Sequence, residues 1–305
     1  MTPWLDDGDV RLYHGDVLEV LRQLEPGSVQ TCVTSPPYWG LRDYGEPGQL
    51  GLEPTPGEHV ARMVQVFREV RRVLRDDGTL WLNLGDSYAV SACGLTDGAG
   101  DGLKPKDLVG IPWRVAFALQ DDGWYLRADI IWAKPNPMPE SVTDRPTKSH
   151  EYLFLLTKSP RYFYDADAIR EPLKSTPEQY LRAGKSVREN HALGQVAGRP
   201  LGDRSFATVP DGRNARSVWN IATRSYAGAH FATFPPELPE RCIKAGSAPG
   251  DVVLDPFSGS GTTAWIARHH GRRAVGIELN EEYLALSADR LRQLSLLSDA
   301  VADGG

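Results

Sequence analysis

The segment Asp251–Thr263 reads DVVLDPFSGSGTT. It joins an apolar strand, which ends in Asp255, to a turn that contains Gly259 and Gly261 and opens a helix. Glycine permits positive φ and a close approach of a ligand to the backbone, and N–H groups at a helix start bind anionic or strongly polar groups. The segment therefore predicts a strand–turn–helix unit that holds a polar ligand, although the glycines alone would also suit a plain turn.

A second strand follows, Ala274–Leu279 (AVGIEL), and it carries Glu278 near its end. A carboxylate at this place can accept hydrogen bonds from both hydroxyls of a ribose, as acidic residues do in nucleotide-binding βαβ units. The full G-x-G-x-x-G pattern is not met. A nucleoside-containing cofactor is therefore expected, and a nicotinamide-dependent oxidoreductase is disfavoured.

The hydrophobic periodicity predicts alternating strands and helices over most of the chain. The predicted strands are Val10–Asp16, Val29–Thr34, Thr79–Leu84, Tyr125–Ala133, Tyr152–Lys158, Asp251–Asp255 and Arg273–Leu279. The predicted helices are Val17–Leu24, Glu58–Arg75, Glu237–Ala245, Gly261–His269 and Glu281–Leu294, and Asp76-Asp77-Gly78 is expected to stop the second one. This alternation is typical of an α/β fold with a parallel sheet that helices cover on both faces.

One stretch, residues 166–215, breaks the pattern because it is polar and rich in Arg, Gly and Pro. A long aperiodic segment inside a compact domain is usually functional. We therefore expect a main domain over 1–165 and 216–297, an inserted recognition region over 166–215, and a frayed tail over 298–305.

The charge of the chain is unevenly distributed. The formal net charge is −6, yet residues 141–230 contain 14 Lys and Arg against 9 Asp and Glu. Such asymmetry suits a basic nucleic-acid-binding region on an acidic scaffold, and it also suits an ordinary solvated surface. Cys32, Cys93 and Cys242 stand far apart, so neither a zinc site nor a disulfide framework is expected. We expect an intracellular protein, because no signal peptide or membrane span is visible.

The sequence Thr34–Tyr38 (TSPPY) directly follows a predicted strand. Two successive prolines stiffen the chain and remove two backbone donors. The Ser35 hydroxyl and the neighbouring carbonyl groups then form a fixed row of acceptors beside the aromatic ring of Tyr38. A rigid turn would be the purely structural interpretation.

Together, TSPPY, DPFSGSGTT and VGIELN closely resemble the motifs of bacterial DNA amino-methyltransferases that use S-adenosylmethionine. The order of the motifs, catalytic first and cofactor last with a variable region between, resembles the permuted beta group of that family. The resemblance implies a Rossmann-like sheet that is mostly parallel with an antiparallel hairpin strand. Ser-Pro-Pro-Tyr resembles the N4-cytosine enzymes, whereas N6-adenine enzymes more often begin the motif with Asp. The resemblance implies transfer of a methyl group to the N4 amine of a cytosine in double-stranded DNA, with S-adenosylhomocysteine as the second product and no metal.

The chemistry of such an amine explains the catalytic motif, for which the candidates are Ser35, Pro36, Pro37 and Tyr38. The lone pair of an exocyclic amine is delocalised into the ring, and two acceptors that grip its N–H groups can aim it at the methyl donor. A base inside a duplex must first be flipped out, and the resemblance implies that it stacks on Tyr38.

By the same resemblance, Phe257–Thr262 hold the methionine part of the cofactor, Glu278 the ribose and Asp16 the adenine amino group; Asp16 also suits a helix cap. The segment His230–Pro235 would close over the methionyl end, or begin a helix with Thr233 as its cap. The candidate cofactor residues are Asp16, Phe231, Thr233, Asp255, Phe257, Ser258, Gly259, Ser260, Gly261, Thr262 and Glu278.

Candidate DNA contacts lie in the loop 138–150, where each residue has a solvated or capping role as its alternative, and in the recognition region, whose basic residues are taken together as phosphate and base contacts. They are Arg145, Lys148, His150, Arg182, Lys185, Arg188, Arg204 and Arg213. The expected partner is DNA in the bacterial cytoplasm, and both a cognate restriction endonuclease and a homodimer are left open.

The alternatives are an N6-adenine DNA methyltransferase, an RNA or protein amine or amide methyltransferase, and a catalytically silent DNA-binding protein. The silent protein is disfavoured because both motifs are intact. The DNA sequence that the chain would recognise does not follow from these patterns.

Overall fold

The computed structural model describes residues 2–89, 102–173, 212–223 and 235–302. In this part of the chain nine strands form one sheet in the order β1-β2-β9-β8-β3-β4-β6-β5-β7. They are β1 (Leu5–Asp6), β2 (Val10–His14), β3 (Val29–Thr34), β4 (Leu74–Leu84), β5 (Tyr125–Ala133), β6 (His150–Thr157), β7 (Val218–Asn220), β8 (Val252–Asp255) and β9 (Arg273–Glu278).

The middle of the sheet, from β2 through β9, β8 and β3 to β4, is parallel, whereas β6 runs antiparallel to both β4 and β5. The expected Rossmann-like α/β fold, mostly parallel with an antiparallel strand, is confirmed. The carboxyl ends of the five parallel strands therefore share one edge of the sheet, where ligands bind in open α/β folds. The start of β6 and the end of β5 lie at that edge too, because β4 pairs Leu84 with Tyr152 and β5 pairs Trp132 with Glu151.

Helices cover both faces of this sheet, and β3 at its centre is buried at every position. The helices are α1 (Val17–Leu21), α2 (Pro56–Val73), α3 (Ile111–Asp121), α4 (Glu237–Gly246), α5 (Thr262–His269) and α6 (Glu281–Ala302). Helix α2 contacts both α1 and α3, and α5 contacts both α4 and α6. Met63, Phe67 and Val70 lie on the buried face of α2. They have the three- and four-residue spacing from which the helix was predicted.

The boundary between α2 and β4 differs from the prediction. Helix α2 ends at Val73, and Asp76-Asp77-Gly78 lies inside β4 instead of ending the helix. Pairing of Leu74 with Val29 extends the strand backwards, with a register shift before Thr31. A Cβ on Gly78 would lie 2.9 Å from the Arg75 carbonyl oxygen, so the glycine serves this irregular pairing and not a helix stop.

Other elements also differ from the sequence analysis. Helix α3 and the short strands β1 and β7 were not predicted. Helix α6 continues to Ala302, whereas the predicted helix ends at Leu294, and the tail expected from residue 298 remains a prediction. The predicted helix over Val17–Leu24 ends at Leu21.

The chain divides into two compact units, one of 1–165 with 217–305 and one of 166–216. The first contains the sheet and its helices. In the described part of the second, Glu171 and Arg213 exchange backbone hydrogen bonds of 2.9 and 2.8 Å and form a side-chain ion pair of 2.8 Å. The role of this unit in recognition remains a prediction, as does the DNA contact of Arg213, whose guanidinium is engaged by Glu171.

Candidate functional site

The tetrapeptide Ser35–Tyr38 leaves the end of β3 at the carboxyl edge of the sheet. The Ser35 hydroxyl donates to the Tyr38 hydroxyl at 3.1 Å. The single proton of the Tyr38 hydroxyl is donated to Oε2 of Glu151 at 2.7 Å, and Oδ1 of Asn83, at 3.1 Å, is a second and weaker acceptor for it. Burial, and then the negative charge of Glu151, raise the pKa of Tyr38 well above its usual value. Tyr38 therefore keeps its proton and acts as a donor towards Glu151.

The Ser35 proton is directed at Tyr38, so the lone pairs of its oxygen are the part that can face a substrate. Among the described residues no donor bonds the carbonyl oxygens of Ser35 or Pro36. The motif therefore presents acceptors, as its sequence predicted. An amine with two N–H groups is the kind of group that such acceptors bind.

The Tyr38 ring packs against the backbone that follows β4. A Cβ on Gly85 would lie 2.4 Å from Cε2 of Tyr38, so only glycine leaves room for the ring at this distance. One side of the Tyr38 ring is therefore covered by the protein. The stacking of a flipped base on this ring remains a prediction.

Three residues around Tyr38 were missed by the sequence analysis: Asn83, Lys134 and Glu151. Glu151 forms an ion pair with Lys134, and the Lys134 ammonium lies 4.4 Å from the centroid of the Trp132 ring. The sequence feature that could have pointed to Asn83 and Glu151 is a polar residue near the end of an apolar strand: Asn83 lies in TLWLNL, and Glu151 precedes YLFLL. Polar residues at strand ends are common, and only the pairing of strands in the sheet brings Asn83 and Glu151 to the catalytic motif.

The loop that precedes β6 supplies three of the candidate DNA contacts, and the structure engages two of them within the protein. Arg145 pairs with Glu140 at 2.5 Å and lies 3.9 Å above the Tyr88 ring. Lys148 donates to the Asp86 carbonyl oxygen at 2.7 Å, and burial lowers its pKa. His150 begins β6 with its ring edge-on to Tyr152. Lys148 therefore has a structural role, and its DNA contact remains a proposal.

The cofactor segment has the predicted strand–turn–helix form, β8 followed by α5. Gly259 and Gly261 have φ of +50° and +73°, a region that favours glycine. A Cβ on Gly259 would meet nothing within 4 Å, whereas a Cβ on Gly261 would lie 2.0 Å from the Ser287 hydroxyl oxygen in α6. Gly261 thus lets α5 pack on α6, while the backbone at Gly259 is open for a ligand.

Asp255 differs from its expected role, because its side chain is 2% exposed and cannot be reached by a ligand. Its Oδ1 accepts from the Thr34 hydroxyl at 2.7 Å and the Phe257 N–H at 3.1 Å, and its Oδ2 accepts from the Thr263 hydroxyl at 2.7 Å. Asp255 therefore ties the cofactor turn to Thr34, next to the catalytic serine. We propose that it holds the turn in place rather than touching the cofactor.

Glu278 and Asp16 lie at neighbouring strand ends, because β2 pairs His14 with Glu278 and the Gly15 N–H donates to the Glu278 carbonyl at 3.0 Å. The Glu278 carboxylate accepts the Gly259 N–H at 2.7 Å and the Asn280 N–H at 2.9 Å, and burial raises its pKa. Asp16 caps α1 through Oδ1, which accepts the Leu18 and Glu19 N–H groups at 2.9 and 3.1 Å. The cap is thus present, and the adenine contact is a prediction that would use Oδ2.

The remaining candidates of the cofactor turn lie where the sequence placed them, in or next to the start of α5. Phe257 is partly buried against the core. The hydroxyls of Ser258 and Ser260 are buried and have no hydrogen-bond partner among the described residues. Thr262 accepts from Arg290 at 2.8 Å. Phe231 and Thr233, like Arg182, Lys185, Arg188 and Arg204, lie outside the described residues.

The segment after the catalytic motif also reaches the cofactor end of the sheet, which the sequence analysis missed. The Asn280 amide donates to Glu46 at 2.9 Å. Burial raises the pKa of Tyr44 and raises that of Tyr283 to about 12, and the charge of Glu278 contributes to both shifts. Two tyrosines are therefore close enough to feel the charge of the carboxylate that is expected to hold the ribose.

The residues present fit a nucleoside cofactor with a charged side chain. The turn leaves open space at Gly259, two buried serine hydroxyls have no hydrogen-bond partner in the part of the chain that the structure describes, and Glu278 lies one strand away from Asp16. In the described ranges no group of His, Cys, Asp and Glu could hold a metal ion, and no helix is long and apolar enough to cross a membrane. Cys32 and Cys242 are buried free thiols.

Comparison with known proteins identifies the family of this chain. A family model described as DNA methylase, of the N6/N4 type, matches residues 29–289. The chain is 52% identical to the Type II methyltransferase M.XycI of Xanthomonas campestris pv. cyanopsidis, over 92% of this chain and 87% of that protein. It is 49% identical to the Type II methyltransferase M.Cfr9I of Citrobacter freundii, with the same coverage of both chains.

Solved structures share the fold. The PvuII cytosine-N4-specific DNA methyltransferase superposes with a TM-score of 0.67 at 22% identity, over 95% of this chain and 88% of that one. The Thermus thermophilus protein TTHA0409, in complex with S-adenosyl-L-methionine, superposes with a TM-score of 0.59 at 27% identity, over 93% of both chains. The chain therefore belongs to the DNA methylase family of amino-methyltransferases and is an S-adenosylmethionine-dependent DNA methyltransferase.

Proposed function

We propose that this methyltransferase modifies the exocyclic N4 amine of a cytosine flipped out of double-stranded DNA. The observation that carries the proposal is the direction of the hydrogen bond from Ser35 to Tyr38, 3.1 Å long, which leaves the serine oxygen as an acceptor. S-adenosylmethionine supplies the methyl group when it is bound. Ser35 and the Pro36 carbonyl would grip the two N–H groups of the amine and direct its lone pair at that methyl group.

The bond between Thr34 and Asp255 supports this arrangement, because it joins the catalytic turn directly to the turn proposed for the cofactor at 2.7 Å. A shift of one turn relative to the other would move the amine away from the methyl group, and small misplacements cost large factors in rate. We propose, by the motif resemblance, that the chain is a permuted beta-group enzyme in which Glu278 holds the ribose and Asp16 the adenine.

The choice of cytosine rests on Ser35, since the resembling N6-adenine enzymes more often have Asp at this position. N6-adenine methylation is therefore the second candidate. Both bases present an exocyclic amine with two N–H groups, and the described contacts of Ser35 suit either. RNA or protein methylation has no support from the family or from the relatives described above.

The deciding experiment incubates the purified chain with DNA and methyl-labelled S-adenosylmethionine and identifies the labelled nucleoside. We expect N4-methylcytosine, and labelled N6-methyladenine would refute the choice of base.

Ser35→Ala should slow single-turnover methylation about 10²- to 10³-fold and leave cofactor affinity unchanged, because one charge-stabilising contact is removed. Ser28→Ala, which alters a hydroxyl that bonds the Glu25 carbonyl in an exposed turn, is the matched control and should keep full activity. An unchanged rate in Ser35→Ala would refute the role of Ser35.

We further propose that the chain is the modification enzyme of a restriction–modification system in a bacterial cytoplasm, because its relatives from Xanthomonas and Citrobacter are Type II methyltransferases. A restriction endonuclease for the same DNA sequence is then the expected partner. Protection of methylated DNA against such an enzyme tests this proposal. The homodimer remains a prediction that sedimentation of the purified protein would test.

A further inference from the structure

A continuous line of hydrogen bonds runs from the catalytic serine to a buried ion pair. Ser35 donates to Tyr38 at 3.1 Å, Tyr38 donates to Oε2 of Glu151 at 2.7 Å, and Oε1 of Glu151 pairs with Lys134. The two hydroxyl bonds point the same way, from the substrate side towards the carboxylate. The Glu151 side chain is 14% exposed, so the line ends inside the protein and not in bulk water.

Methylation of an amine requires a proton acceptor. The new N–C bond uses the lone pair of the amine, the S–C bond breaks with its electron pair left on sulfur, and the nitrogen becomes cationic until it loses one proton. The proposed function names acceptors for the N–H groups, but a serine hydroxyl and a carbonyl do not keep a proton at neutral pH. A group that can keep it must be connected to them.

We propose that Glu151 is a positioning and proton-accepting residue of this reaction, reached from the substrate amine through the hydroxyls of Ser35 and Tyr38. This inference rests on the proposed function. The amine proton passes to the Ser35 oxygen, the Ser35 proton passes to the Tyr38 oxygen, and the Tyr38 proton passes to Oε2 of Glu151. The products are a neutral methylated amine, a neutral thioether and a neutral Glu151, so the sulfonium charge and the carboxylate charge disappear together.

The surroundings of Glu151 suit both parts of this role. Lys134 bonds its other oxygen, and β5 pairs Trp132 with Glu151, so the carboxylate cannot turn away from Tyr38. Tyr38 keeps its own proton at rest, because burial and Glu151 raise its pKa, and it can therefore pass a proton only by receiving one. The bond from Asn83 to the Tyr152 carbonyl at 3.0 Å directs the Asn83 oxygen at Tyr38, which holds the tyrosine hydroxyl in line.

Other charged groups face Glu151 as well. Lys134 follows β5, and Lys148 lies in the loop before β6, where its ammonium is attracted by Glu151, Asp86 and Glu140. Two lysines thus lie close to the Glu151 carboxylate. The relay itself needs only the hydroxyls of Ser35 and Tyr38.

The test compares Glu151→Gln with the wild-type enzyme under single-turnover conditions over a range of pH. A glutamine oxygen still accepts from Tyr38 but cannot keep a proton, so we expect methylation about 10²-fold slower or more. Cofactor and DNA affinities should stay within about threefold of wild type. The pH profile of the single-turnover rate should differ between Glu151→Gln and wild type, because the variant has no carboxylate to receive the proton.

Glu240→Gln is the matched control, since Glu240 also pairs with a lysine, Lys244 at 2.7 Å, but lies in α4. It should keep the wild-type rate and pH profile. Tyr38→Phe interrupts the relay, and adding Glu151→Gln to it should cause no further loss. If Glu151→Gln does not fold, Tyr38→Phe must by itself slow methylation and change the pH profile of the rate.

A wild-type rate and pH profile in folded Glu151→Gln would overturn the proposal, and so would independent losses in the double variant. These outcomes differ from failure of the proposed function. That function fails if the wild-type enzyme forms no N4-methylcytosine, whereas the relay is measured on whichever amine the wild-type enzyme methylates.

Discussion

Asp255 shows how one buried residue links the two halves of the site. Its carboxylate is surrounded by Thr34, Phe257 and Thr263, and burial raises its pKa to about 6. In the folded protein the ionised form is therefore disfavoured relative to the unfolded chain. Between about pH 4 and pH 6 the folded state keeps a proton that the unfolded state has lost, so this group's contribution to the free energy of unfolding falls as the pH rises.

Asp255→Asn should remove this dependence. A rise of the pKa from 3.8 to about 6 corresponds to about 3 kcal/mol, so the free energy of unfolding of the variant relative to wild type should rise by about that amount from about pH 4 to about pH 7. Urea unfolding at several pH values measures it. Asp289→Asn changes an exposed carboxylate in α6 and should keep the wild-type slope. Equal slopes in wild type and Asp255→Asn would contradict the assignment.

Two glycines lie in the turn between β8 and α5, and they have different structural roles. Gly261 lies at the start of α5 against Ser287 of α6, and Gly259 faces open space. Both have positive φ, so a side chain strains the backbone at either position. Only at Gly261 would a side chain also collide with a neighbouring helix.

Gly261→Ala should therefore lower the free energy of unfolding by about 2–4 kcal/mol, from backbone strain and overpacking. Gly259→Ala should cost about 1–2 kcal/mol from strain alone but weaken S-adenosylmethionine binding at least tenfold, because its Cβ occupies the proposed ligand space. Thermal unfolding and calorimetry with cofactor separate the two effects. Ser287→Gly, which removes the obstacle, should partly restore the stability of Gly261→Ala. Equal effects of both alanine variants on cofactor binding would contradict the assigned purposes.

Elements also show where sequence patterns succeed and fail. Strands β3 and β5 have the predicted bounds. Their apolar residues are continuous or alternate between two turns, and a strand is the element that buries such a short run. Helix α3 was missed, although glycine at its N-cap, Gly110, and proline in its first turn, Pro112, are residues that occur at helix starts. Helix α2 stops before Asp76 because strand pairing of Leu74 with Val29 competes with local helix propensity. That competition is decided by a distant segment.

At the scale of the whole molecule, the basic segment 166–216 forms a unit separate from the sheet. It carries nine Lys and Arg. We predict that exchanging residues 166–215 for those of a relative changes the DNA sequence that is methylated and leaves cofactor affinity unchanged. Sequencing of methylated DNA and calorimetry with cofactor measure the two parts.

If its basic residues contact phosphates, DNA affinity should fall steeply with salt, with a logarithmic slope of about −0.9 per contact. Substitution of a phosphate contact should weaken binding to all duplexes alike, and substitution of a base contact should cost about 1–3 kcal/mol at one position of the target. Salt-independent binding or an unchanged target would place recognition elsewhere, with the loop 138–150 as the next candidate.

The sequence alone determined the fold class and the two motifs, and it predicted acceptors at Ser35 and the neighbouring carbonyl groups, because these depend on local periodicity, on glycine and on proline. Only the tertiary structure decided that Asp255 is buried against Thr34, that Lys148 bonds the Asp86 carbonyl, and that Glu151 receives the Tyr38 hydroxyl. Glu151 follows Tyr38 by more than a hundred residues, and it reaches Tyr38 only because β4 lies between β3 and β6 in the sheet. The physical reason is that strand pairing sets which distant side chains meet, and no local pattern encodes it.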